Sequence, residues 1–230
     1  MKRLLSLVAA GGIATAVIAS MLTMTPAIVS AEEPVRLPAA TLDPADTRTS
    51  ATAIFAGGCF WGVEGVFSRV QGVTRVTSGY HGGSAETAVY EITNNGRTGH
   101  AESVRITYDP RVVSYGTLLR VLFSVVMDPT TLNHQGPDHG SQYRSAIVPA
   151  NANQRRVATA YIAQLTGGRH FDAPIVTRVE TPMTFYPAEA YHQDFMRRNP
   201  THGYIRNWDA PKLAALQQFY PTLVSASWAP

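Results

Sequence analysis

The chain has 230 residues, of which 45% are hydrophobic and 15% charged, and its formal charge is +3. That length and composition suit one globular domain with a sizeable core and exclude a fibrous or disordered chain. Acidic and basic side chains nearly balance and no Lys/Arg run occurs, so nucleic-acid binding has no electrostatic footprint.

The N-terminal residues are read apart from the fold. Lys2 and Arg3 give a basic start, Leu4 to Ala31 carries no charge, and Val29-Ser30-Ala31 precedes the acidic pair Glu32-Glu33. This is the pattern of a secretory signal peptide over residues 1–31, which predicts an exported protein, periplasmic or secreted. Left uncleaved, the segment is long enough to anchor the chain in a membrane. Loss of Lys2 and Arg3 from the 19 basic side chains leaves 17 against 16 acidic ones, so the high isoelectric point says little about partners.

Residues 32–50 are rich in Pro, Ala and Thr without periodicity, the composition of a linker. The folded domain is expected over 51–230. Thr52–Ala56 reads as a short strand ending at Gly57-Gly58, and a helix follows from Cys59 or Phe60 with Val63, Val66, Phe67 and Val70 at helical spacing. Strands are expected at Gly72–Ser78 and Ser103–Tyr108, on either side of a Gly-rich loop from Tyr80 to Tyr90. Ser114–Val126 reads as an apolar helix stopped by Asp128-Pro129. Thr130–Tyr143 is a long polar connection, and such loops are often functional. A strand at Ser145–Val148, a helix over Asn151–Leu165 with an Asn cap, a strand at Ile175–Glu180, a helix over Pro187–Arg198 and a last helix over Asp209–Phe219 complete the pattern. Strands and helices alternate irregularly and no repeat occurs, so the fold class expected is a single α+β domain with a mixed sheet, packed helices and sizeable irregular loops.

One cysteine in the whole chain, Cys59, excludes an internal disulfide. It is then an inert buried thiol, an intermolecular bridge or a reactive group. A strand running into two glycines would set Cys59 at a helix N-terminus, where free N–H groups and the helix dipole favour thiolate and lower the pKa. Phe60 and Trp61 would wall the thiol with apolar surface. Glu102 opens a strand of alternating apolar residues, where desolvation can hold a carboxyl neutral as an acid near neutral pH; the bland alternative is a surface carboxylate. His134, Asp138 and His139 match no common zinc spacing, and no metal is expected.

Gly57-Gly58-Cys59-Phe60-Trp61-Gly62 resembles the signature of the peptide methionine sulfoxide reductase A family. The likeness continues through Gly79–Gly83, Thr98–Glu102, Tyr108–Pro110, Asp138–Ser145, Ala190–Phe195 and Asn199-Pro200, from about Ile54 to Tyr204. The resemblance implies an oxidoreductase that reduces the S epimer of methionine sulfoxide, free or in proteins. On it, Cys59 attacks the sulfoxide sulfur and becomes a sulfenic acid, and Glu102 protonates the oxygen. Tyr90 and Tyr143 give hydroxyl hydrogen bonds to that oxygen, Phe60 and Trp61 hold the methyl group, and Asp138 and His192 orient the substrate. Many relatives carry recycling cysteines in a C-terminal tail; here Ile205 follows Tyr204 and the tail has none. The expectation is therefore no cofactor and an external thiol reductant, such as thioredoxin or another carrier. The competing readings are a non-catalytic binder of methionine-containing peptides and a different thiol enzyme, a peroxidase or a hydrolase.

Overall fold

The structure, a computed structural model, describes residues 33–230, and the signal-peptide reading lies outside these residues. A six-stranded sheet forms the centre: β1 (Ala51–Gly57), β2 (Val73–His81), β3 (Ala101–Tyr108), β4 (Ser145–Val148), β5 (Arg178–Val179) and β6 (Phe185–Pro187). Its spatial order is β5-β4-β1-β3-β2-β6. Every pairing is antiparallel except that of β4 with β5, so the sheet is mixed. Four longer helices accompany it: α1 (Phe60–Phe67), α2 (Tyr115–Val121), α3 (Ala152–Gly167) and α4 (Ala210–Phe219). The molecule is thus an α+β fold in one domain. No helix among the described residues is long and apolar enough to cross a membrane.

Burial follows from the sequence pattern. In β1, Ala51, Ala53 and Phe55 are buried while Thr52 is exposed, the alternation of a pleated strand. Seven of the eight residues of α1 are buried, because this helix lies inside the fold, against β1, β2 and β3. Phe55, Phe67, Ile106, Leu118 and Leu122 are fully buried and belong to one continuous core. Ser114 caps α2 by accepting from the Thr117 N–H, and Asn151 caps α3 through Gln154, each removing one orphan donor of the first turn.

Several expected boundaries move. Residues 33–50 form no helix or strand, but they are docked on the domain rather than free. Leu37 is 1% exposed, the Val35 N–H donates to the Ser124 carbonyl, and Asp43 accepts from Ser114 and the Gly116 N–H. Tyr80 and His81 extend β2, and Tyr90 opens a short helical turn, Tyr90–Thr93, so the Gly-rich loop is shorter than its composition suggests. The connection 130–143 contains a two-stranded ribbon, His134–Gln135 with Asp138–His139. The helix beyond Val121 widens into a π turn, Leu122–Val126. The strand expected at Ile175–Glu180 reduces to β5.

The helix expected over Pro187–Arg198 is absent apart from its last turn, Phe195–Arg198. Pro187 instead ends an edge strand, where a missing N–H is tolerated. The Gln193 side chain bonds the backbone of Ser78 and Ala188. Asp194 is left-handed, with φ 55°, and an α-helix cannot run through such a residue.

Candidate active site

The last residue of β1 and the first turn of α1 set the nucleophile. Gly58 has φ +92°, and a Cβ there would meet the Gln135 Cβ at 2.7 Å. Both conformation and space therefore demand glycine. The turn leaves half-buried Cys59 at the N-cap of α1. β3, paired on both sides by β1 and β2, carries Glu102 opposite Tyr80 at its N-terminal end. Glu102 is 2% exposed, and its Oε2 accepts the Phe60 N–H at 3.0 Å. This carboxyl therefore stands one residue from the thiol and occupies one of the orphan donors of α1.

The charge states invert the expectation for Cys59. Burial pushes its thiol well above the ordinary value, and the carboxyls of Glu102, Asp209 and Asp138 push the same way, while the Trp61 backbone N–H acts in the opposite sense. The local helix argument omitted three acidic neighbours that arrive from β3, the ribbon and the C-terminal segment. Burial likewise raises Glu102 to about 8, with Asp138 and Asp209 adding to it, against the Phe60 hydrogen bond that lowers it. At neutral pH both the thiol and the carboxyl are therefore held protonated.

Tyr90 opens the short helical turn Tyr90–Thr93, and Tyr143 ends the turn Ser141–Tyr143 just before β4. The Tyr90 N–H donates to Glu189 Oε1 at 2.9 Å, and the Tyr143 hydroxyl donates to Asn94 Oδ1 at 3.2 Å. Burial raises both phenols, Tyr90 to about 12, and Glu102 and Cys59 contribute to each. Phe60 is buried with its ring 4.9 Å from that of His192. Trp61 stacks on Phe195 with centroids 3.8 Å apart and an interplanar angle of 10°. Its Nε1–H donates to His192 Nδ1 at 3.0 Å. Since Nδ1 accepts, neutral His192 carries its proton on Nε2; burial keeps the ring neutral, and Nε2 has no partner among the described residues. Asp138 shares a hollow with Cys59, Gln135, Tyr204 and Trp208. It accepts the Tyr204 hydroxyl, and burial raises its carboxyl.

The seven other residues singled out in the sequence thus gather around Cys59 or its neighbours Phe60 and Trp61. Three neighbours were not singled out. Tyr204 pairs with Asp138 and stands edge-on to Trp61, with centroids 5.8 Å apart. Glu189 bridges the Tyr80 hydroxyl and the Tyr90 N–H. Asp209, 1% exposed, acts on both Cys59 and Glu102. The proximity of Tyr204 to the expected cysteine position was the only local hint for any of them. A wider cleft of about 350 Å³ opens between residues 43–48 and α3, but its lining has no thiol. No cluster of three metal-ligating side chains occurs among the described residues.

A buried acid beside a half-buried thiol, with two phenols and an aromatic wall, defines a thiol-dependent oxidoreductase site. The family model described as peptide methionine sulfoxide reductase matches residues 51–222, and the chain belongs to this family. It is 59% identical over 176 residues to peptide methionine sulfoxide reductase MsrA 2 of Mesorhizobium japonicum, covering 76% of this chain and 90% of that protein. A protein of the same description from Synechocystis is 49% identical over 191 residues, covering 82% and 89%. Among solved structures, methionine sulfoxide reductase A of Corynebacterium diphtheriae matches with a TM-score of 0.57 at 31% identity, covering 76% of this chain and 86% of that one. The protein is a peptide-methionine (S)-S-oxide reductase and converts methionine sulfoxide to methionine. Family membership leaves the binder, peroxidase and hydrolase readings without support.

Proposed function

We propose that Cys59 is the nucleophile and Glu102 the proton donor, and the observation that carries this is the buried Glu102 carboxyl bonded to the Phe60 N–H beside the thiol. The Cys59 sulfur attacks the sulfoxide sulfur as Glu102 protonates the oxygen, which otherwise leaves poorly. The attack forms an S–S bond; the hydroxyl then shifts to the Cys59 sulfur as both the S–O bond and the S–S bond to the substrate break, so that methionine departs and Cys59 is left as a sulfenic acid. The thiol proton returns to Glu102, so the step consumes no net proton. Tyr90 and Tyr143 stabilise charge on the oxygen as it moves. Phe60 and Trp61 receive the methyl group, Asp138 orients the substrate with Tyr204, and the unpartnered Nε2–H of His192 is the donor left for it.

The single cysteine supports complete dependence on an external reductant, either a small thiol or a dithiol carrier of the thioredoxin type. Its thiol displaces the hydroxyl as water and forms a mixed disulfide with Cys59; a second thiol then frees Cys59 and leaves with the first as a disulfide. Enzyme mixed with excess S-sulfoxide and no thiol is expected to release one methionine per chain and gain one oxygen in mass. Several methionines per chain would refute this scheme.

The basic, then uncharged, N-terminal segment supports export, with repair of oxidised methionines in proteins outside the cytoplasm. N-terminal sequencing of native protein is expected to begin at Glu32. A start at Met1 would favour the anchored form.

A further inference from the structure

We propose that Glu64 is a positioning residue that clamps the aromatic wall of the substrate pocket to the helix bearing the nucleophile. Glu64 lies five residues after Cys59 on α1 and is 3% exposed. Its Oε2 accepts the Asp194 N–H at 3.0 Å. Asp194 is left-handed, a conformation that a residue other than glycine holds only when its surroundings enforce it. The next residue, Phe195, stacks on Trp61, and Trp61 in turn holds His192. The segment 192–195 is therefore held against α1 by Phe60, Trp61 and Glu64, and Glu64 supplies the contact made through the backbone. The two elements are tightly apposed here, since a Cβ on Gly65 would meet the Met196 Cβ and Cγ at 3.2 Å.

A structural carboxyl has little reason to be in this place. Burial raises Glu64 to about 7, so an apolar residue would sit there more cheaply were packing the only demand. The carboxyl answers the backbone of this turn, first the Asp194 N–H, with the Phe195 N–H acting the same way. Without an acceptor, the Asp194 turn relaxes, Phe195 slides from Trp61 and the methyl pocket loosens. No hydrogen bond joins the Glu64 side chain to Cys59 or Glu102, so their chemistry is expected to be spared.

The inference rests on Trp61 forming the methyl pocket, so its test includes that residue. In the full-length enzyme with thiol present, Glu64→Met keeps the volume and removes the acceptor. It is expected to raise KM for a methyl sulfoxide about tenfold with kcat within about threefold, the signature of lost ground-state binding. Glu64→Gln retains an acceptor and is expected to keep KM within about twofold of the parent. Glu64→Met with a parental KM, beside Trp61→Ala with a raised one, would overturn the clamp alone. A parental KM in both would remove the pocket assignment and the clamp with it. Equal impairment in Glu64→Met and Glu64→Gln would assign Glu64 to packing or charge instead and also overturn the proposal.

Discussion

Cys59→Ser is expected to abolish sulfoxide reduction, with a single-turnover loss on the order of 10⁴-fold or more, as removal of an enzyme nucleophile commonly gives. Sulfur must be attacked by a soft, polarizable atom, and the chain contains no other thiol. The substitution is also conservative for the fold. Cys59 occupies the N-cap of α1 without a capping hydrogen bond from its side chain, and serine is among the preferred residues there. The variant should therefore melt no lower than the parent, so the loss cannot be ascribed to unfolding. Trapping with a dimedone-type reagent should label the parent after sulfoxide treatment and leave the variant unlabelled. Residual activity within about tenfold of the parent, about 1.4 kcal/mol in barrier, would remove Cys59 from the role.

How far the site could be read ahead of its structure depends on the range of each interaction. The strand, the Gly57-Gly58 turn and the helix after Cys59 are local events, governed by backbone freedom and side-chain periodicity, and they form as the residues dictate. Glu102 was readable only as a choice between a buried acid and a surface carboxylate, and its 2% exposure decides for burial. The sign of the Cys59 shift was not readable. It depends first on burial of the thiol, then on Glu102, and then on Asp209 and Asp138, which stand 150 and 79 positions away in the chain; all of these are tertiary effects. The pairing of Tyr204 with Asp138 is likewise a tertiary contact with no local signature. The missing helix after Pro187 has the same origin. Helix propensity over 187–198 is overridden by the Gln193 amide, which bonds the Ser78 backbone, and by the Glu64 bond to the Asp194 N–H.

Glu102→Gln is expected to slow the chemical step by roughly 10²- to 10⁴-fold, the range of general acid catalysis, with substrate binding much less affected. The amide oxygen can still accept the Phe60 N–H, so the geometry at the start of α1 survives while the transferable proton is lost. The parent's single-turnover rate should fall as pH rises through about 8, where Glu102 loses its proton, and the variant should lack that limb. A stability measurement separates this loss from damage to the fold. The folded pKa of Glu102 lies above the ordinary carboxyl value, so the folded state holds its proton more tightly than the unfolded chain. The stability that this proton contributes is fully present below about 4.5 and is lost as pH climbs to about 8. Glutamine carries no such dependence. The variant should thus gain in melting temperature over the parent across that window, by an amount that grows with pH and levels off above about 8. A variant that is slower and yet more thermostable at pH 8 would place the carboxyl in the chemistry and not in the scaffold. An unchanged single-turnover rate would leave Glu102 as a buried cap on α1 and require another source for the proton.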